Sequence, residues 1–139
     1  MRVFPDTNVL ASAFGTRGLC ADLMRIVLAE HEFITGEVVI DELRSVLRRK
    51  FGVPAAVVKE IESLLRGYHV DPRPSRLLNL KLSDRNDVLV VGSAVQAKAA
   101  ILITGDQEML DLEDKPEGLR MVSPRQFWNI AAGKQKRKE

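Results

Sequence analysis

A chain of 139 residues can bury one continuous core but not two, so every motif is read as part of a single domain. Charged residues make up 29% and aromatics 5%, which excludes a disordered chain and argues against a β-sandwich. The formal net charge of +2 provides no overall field that would announce a nucleic-acid partner, so local clustering has to make that case.

"RVF" is a short apolar run that reads as a central strand; Pro5, without an N–H, suits its last position and puts Asp6 just past its carboxyl end. The polar cluster Asp6-Thr7-Asn8 interrupts the apolar course, which Val9 and Leu10 resume. Leu19, Leu23, Met24, Val27 and Leu28 recur at helical spacing, and "EFITG" follows as a strand. Cys20, the single cysteine, lies in that helical pattern and reads as a buried structural thiol of a protein in a reducing cytoplasm; alone it excludes an internal disulfide or a Cys-based zinc site.

"EVVIDELRSVLRRK" and "VPAAVVKEIESLLRG" each carry one apolar stripe and read as an antiparallel helix pair, with Pro54 at the start of the second. "YHVDPRPSR" is a turn-rich connection with room for a short strand. "DRNDVLVVGSAVQAKA" opens with capping residues and continues as a helix, and "AILITGD" is the clearest strand. Leu119 to Val122 reads as a last strand, and "SPRQFWNIAA" as a last helix with Ser123 as N-cap and Pro124 in its first position.

Strands alternating with helices predict a three-layer α/β/α sandwich around a central parallel sheet of four to five strands, formed by residues 1–132. Residues 133–139, "GKQKRKE", have no apolar anchor and read as a basic, mobile tail. No run of about 18 apolar residues occurs, and none with a cleavage site follows "MRVFPD", so the expectation is a cytoplasmic chain without membrane or export segments.

Ligands of open parallel sheets bind beyond the strands' carboxyl ends, where strand order reverses. Asp6 and Asp106 both follow strands there, the second after Gly105. Glu42 lies at the edge of an apolar helical stripe, and Asp87 sits in the first turn of a helix beside Asp84 and Asn86. Singly, each helical acid has an ordinary reading as a solvated side chain or a dipole partner. Jointly, converging carboxylates repel one another and raise each other's pKa, an arrangement that a divalent cation neutralises. Hard oxygen ligands select Mg²⁺ or Mn²⁺, and such ions suit phosphodiester hydrolysis by activated water.

"DTNVL", "IDELRSVLRRK", "SDRNDVLVVGSA" and "ILITGDQEML", in this order and context, resemble the motifs of PIN-domain ribonucleases, most closely those classed as VapC-like toxins of toxin-antitoxin systems. The resemblance implies a PIN-like fold and a metal-dependent endoribonuclease that cuts single-stranded RNA. It implies that Asp6, Glu42, Asp87 and Asp106 form the catalytic, metal-holding set for Mg²⁺ or Mn²⁺, braced by Thr7, Asn8 and Thr104, with Glu108 in an outer position. Where the family commonly has "DPDD" this chain reads Asp84-Arg85-Asn86-Asp87; the third acid is Asp84 or Asp87, and helical phase and the spacing to Asp106 favour Asp87. An antitoxin partner and a homodimer are further implications.

Arg44, Arg48, Arg49 and Lys50 follow Glu42, Arg85 adjoins the Asp84 to Asp87 turn, and Arg17 follows the "DTN" loop; Arg17, Arg44, Arg48 and Arg85 are the candidates for holding an RNA backbone. Phe14, Phe51 and Tyr68 are candidate stacking platforms, while Trp128 suits packing of the last helix and His31 and His69 suit surface or packing roles. Two alternatives stand beside the nuclease. One is a catalytically silent RNA- or partner-binding module on the same fold. The other is a haloacid-dehalogenase-type phosphatase, which normally needs a second acid where Asn8 stands.

Overall fold

The computed structural model describes residues 1–138, with side chains described through Gly133. In chain order the elements are β1 (Arg2–Pro5), α1 (Thr7–Gly15), α2 (Leu19–Glu30), β2 (Glu32–Gly36), α3 (Glu37–Arg49), α4 (Ala55–Leu65) and β3 (His69–Asp71). After a long irregular connection come α5 (Arg85–Gln96), β4 (Ile101–Ile103), α6 (Gln107–Leu110), β5 (Arg120–Val122) and α7 (Pro124–Lys138). The five strands form one parallel sheet in the order β3-β2-β1-β4-β5.

Parallel strands with helices on both faces have no solvated side, so they carry continuous apolar runs instead of alternation. Val3 and Phe4 of β1 and Ile101, Leu102 and Ile103 of β4 are all buried, which identifies these two strands as the centre of the α/β/α sandwich. The register pairs Val3 with Ile101 and Pro5 with Ile103, so the two strands end together. Pro5 closes β1, and the next available donor, the Asp6 N–H, reaches the Ile103 carbonyl at 2.9 Å.

Two helices go beyond the sequence expectations. Asp6-Thr7-Asn8 is the cap and first turn of α1, and Asp106 caps the four-residue α6. The expected antiparallel pairing of α3 with α4 is drawn in charges: Glu37 meets Arg66 and Arg44 meets Glu62, so contacts advance along one helix as they retreat along the other. At α7, Ser123 and Gln126 form a reciprocal capping box: the Gln126 N–H donates to Ser123 Oγ (3.1 Å), and the Ser123 N–H to Gln126 Oε1 (2.8 Å). Cys20 is half-buried against the core, less enclosed than expected, and burial pushes its thiol pKa up. The backbone of α7 runs to Lys138; the side chains of the basic tail expected at 133–139 lie outside the described residues. Among the described residues, no helix is long and apolar enough to cross a membrane.

Candidate active site

In the order β3-β2-β1-β4-β5 the chain winds outward from β1 in both directions, so the direction reverses between β1 and β4. In open parallel sheets this is the point beyond whose carboxyl ends ligands bind. Both strands end in an acid at that point: Asp6 follows Pro5, and Asp106 stands three residues after Ile103.

Asp6 is 5% exposed and is held from two directions. Its Oδ1 accepts from the Val9 N–H at 2.9 Å, capping α1, and its Oδ2 accepts from Thr104 Oγ1 at 2.5 Å. The same Thr104 oxygen accepts from the Asp106 N–H at 3.0 Å, so one fully buried hydroxyl ties both acids to one frame. Asp106 Oδ1 accepts from the Glu108 N–H at 2.9 Å and caps α6. Asp84 caps α5 by accepting from the Asn86 N–H at 2.8 Å. Three acids are thus helix N-caps, whose non-helical backbone lets the carboxylate fold back over the first-turn amides.

Asp84 and Asp87 are placed differently. Asp84 is exposed and caps α5, whereas Asp87, in the first turn of α5, is half-buried and meets Asp106 with the charges of Asp84 and Glu42 nearby. Burial first, then the charges of Asp106 and Asp84, a hydrogen bond with Asp106 and the Glu42 charge push the Asp87 pKa up to about 7. The raised pKa favours retention of its proton, and the protonated form donates to Asp106. The Asp6 pKa is also raised: burial dominates and the charges of Asp106 and Glu42 add to it, while the bonds from Thr104 and Val9 oppose it. Asp6, Glu42, Asp87 and Asp106 therefore share one electrostatic neighbourhood.

The supporting residues divide. Thr104 braces the acids directly. Thr7 is buried, and its Oγ1 has no hydrogen-bond partner among the described residues; Asn8 is exposed. Glu108 Oε1 accepts from the Ser83 N–H (2.6 Å) and hydroxyl (3.1 Å), fastening α6 to the loop that leads into Asp84. A bracing residue missed by sequence reasoning is Asn86, whose Nδ2 donates to Glu42 Oε2 at 2.6 Å. The signal was present in the amide standing where the resembled motif has an acid.

Of the candidate RNA-contacting residues, Arg48 lies in an open groove with Asp41, Arg44, Ser45 and Arg49, and Arg17 and Arg85 are exposed. Arg44 is already engaged. It makes a two-pronged pair with Glu62 (2.6 and 2.7 Å) and bonds Asp41 (2.9 Å), within a chain of alternating charge from Glu37 through Arg66 and Glu62 to Arg73. Of the other noted side chains, His31 stands edge-on to Phe127, and His69 bonds Asp71 at 2.9 Å. Tyr68 is exposed and edge-on to Phe33, while Phe14, Phe51 and Trp128 pack against the core.

Among the described residues, no three His, Cys, Asp or Glu side chains stand close enough together to hold a metal ion as placed. Asp6 gives both oxygens to protein donors, and Glu42 and Asp106 each give one. The donor chemistry nevertheless fits a hard divalent cation. All four side chains offer oxygen, each bonded oxygen keeps a second lone pair, and their mutual repulsion is what a cation would relieve.

The PIN domain family model matches residues 2–108. Among solved structures, the chain is similar to VapBC2 from Rickettsia felis, described as bound to a DNA fragment from its promoter, with a TM-score of 0.59 and 12% identity over 88% of this chain and 98% of that one. It is also similar to VapC20 of Mycobacterium tuberculosis, described as a sarcin-ricin loop cleaving toxin, with a TM-score of 0.56 and 18% identity over 82% and 99% of the two chains. At these identities the likeness is one of fold. No curated protein matches the chain. The family match takes in β1 to β4 and all four clustered acids, and by it the chain belongs to the PIN-domain family.

Proposed function

We propose that this chain is a metal-dependent endoribonuclease that hydrolyses phosphodiester bonds of single-stranded RNA, and that it is the toxin of a toxin-antitoxin pair acting in the cytoplasm as a homodimer. The observation that carries the nuclease reading is the pair of perturbed carboxyls, Asp6 and Asp87, set with Glu42 and Asp106 at the reversal point of the sheet. Strongly perturbed acids in a cleft mark sites of chemistry more often than sites of packing. The toxin and antitoxin roles rest on the VapC and VapBC fold relatives and on the resembled motifs.

Asp6, Glu42, Asp87 and Asp106 would hold Mg²⁺ or Mn²⁺, with the third place given to Asp87 over Asp84. When bound, the cation supplies charge neutralisation at the phosphate and a water acidic enough to attack near neutral pH. The chain's own residues do the rest. Thr104 fixes Asp6 relative to Asp106, Asn86 orients Glu42, and Glu108 holds the loop that presents Asp84 and Asp87. Arg17, Arg48 and Arg85 would grip the RNA backbone on either side, with Arg44 contributing less because its charge is already paired.

The test is a paired cleavage assay on single-stranded RNA with wild type and Asp6→Asn, in Mn²⁺, Mg²⁺ and EDTA. Cleavage by wild type in either metal, stopped by EDTA and absent from Asp6→Asn, is the expected result; equal cleavage by both proteins would point to contamination. The silent binding module has one observation in its favour, the local bonds that occupy the carboxylates. RNA left intact but bound in both metals would select it. The phosphatase alternative falls with the family assignment.

A further inference from the structure

α5 crosses α3 at two places. Near its start, Asn86 bonds Glu42; seven residues later on α5, Ser93 meets Gly36, the residue just before α3 and six before Glu42. The two helices therefore run antiparallel along one seam, with the two contacts about 10 Å apart at 1.5 Å per residue. The acids lie at one end of this seam.

The other end is unusual. Gly36 is the N-cap of α3 and offers no side-chain cap, although the first-turn N–H groups of any helix lack intrahelical partners. A Cβ added at Gly36 would stand 2.2 Å from Ser93 Oγ, so this oxygen occupies the space that an N-cap side chain would fill. Ser93 is fully buried and its hydroxyl has no hydrogen-bond partner among the described residues, although a mid-helix serine commonly bonds back to its own helix. A buried hydroxyl without a partner among the described residues thus stands beside the N-cap position of a helix that has no side-chain cap.

We propose that Ser93 is a positioning residue for the acid site: its hydroxyl caps α3 from α5, in the place left open by Gly36, and thereby sets the spacing between the helices that carry Glu42 and Asp87. The oxygen reaches the first-turn amides of α3 by a rotation about χ1 or across one ordered water. As a role in catalysis it rests on the nuclease reading; as a contact it does not.

Three variants test it: Ser93→Ala, Gly36→Ser, and the double variant Gly36→Ser with Ser93→Ala, which returns the hydroxyl from the other side of the seam. Ser93 Cβ lies 3.4 Å from the added Cβ, so alanine leaves room for the new serine. Ser93→Ala is expected to lower the melting temperature by about 3–6 °C, to shift the Asn86 side-chain amide signals in NMR, and to lower kcat about tenfold with KM unchanged. Gly36→Ser alone, which collides with Ser93 Oγ, should lose more, and the double variant should recover all three properties. A Ser93→Ala protein indistinguishable from wild type, or a double variant no better than Ser93→Ala, overturns the proposal. Unchanged kcat with the other two readouts moved and restored overturns the positioning role. If wild type itself does not cleave RNA, the nuclease reading fails, while melting and the Asn86 signals still decide for or against the seam.

Discussion

Asp87→Asn should make the metal-free protein more stable and inactive at once. A carboxyl whose pKa rises from 3.8 to about 7 on folding loses about 4 kcal/mol of relative stability by pH 8, at about 1.4 kcal/mol for each pH interval crossed. Asp87 is only partly buried, so solvent screening reduces this to roughly 2 kcal/mol. The sign follows from where the proton is held. Below pH 4 both folded and unfolded chains keep it; between pH 4 and 7 the unfolded chain releases it first, and stability falls as pH rises. Asparagine at this position has no such dependence. In EDTA at pH 8, Asp87→Asn should therefore melt about 6 °C above wild type, and at pH 4.5 about a quarter of that gain should remain. Adding Mn²⁺ at pH 8 should raise the wild-type melting temperature and leave the variant nearly unmoved, because only the wild type keeps the full carboxylate set. Cleavage by the variant should fall at least about 100-fold. A shift of equal size at both pH values, or an Asp87→Asn protein that is less stable at pH 8, would refute the assignment of a raised pKa to this residue.

Thr104→Val preserves shape but removes the donor to Asp6 and the acceptor for the Asp106 N–H, so chemical denaturation should show a loss of about 2–3 kcal/mol, larger than for any exposed hydroxyl. Asp6→Ala should cost about 1–2 kcal/mol by uncapping α1, while Asp6→Asn keeps an acceptor for the Val9 N–H and costs less; both should abolish cleavage. In RNA binding measured against salt, Arg48→Ala should lower the slope by about 0.7, the value for one single-strand phosphate contact. Arg44→Ala should lower it by clearly less, since its guanidinium is already bound to Glu62 and Asp41.

The sheet was legible because buried parallel strands leave an uninterrupted apolar signature, as in "AILIT", and because the helices that cover them show apolar residues every three or four positions. α1 escaped because its first turn is Asp6-Thr7-Asn8, types that favour turns and caps equally, and α6 because four residues are too few for a period to show. The candidate acids stand out by local signals: Asp6 and Asp106 follow strands, Asp87 lies in the first turn of a helix, and Glu42 sits at the edge of an apolar stripe. What they bind was not local: Thr104 is 98 residues from Asp6, Asn86 is 44 from Glu42, and Glu62 is 18 from Arg44. Long-range hydrogen bonds leave no periodic trace in a sequence. For this reason Arg44 looked as available as Arg48, and Asn86 looked like a missing ligand when it serves as a brace.

Asp6, Asp84 and Asp106 each cap a helix. At these three places a change that removes the carboxylate is filtered by what the backbone tolerates. Alanine removes charge and cap together, so a dead alanine protein says nothing about which loss mattered. Asparagine and serine remove the charge and keep an oxygen for the amides, and are the informative probes. The same filter means that a copy of this fold that loses these carboxylates while keeping its helices would carry amides or hydroxyls at the caps.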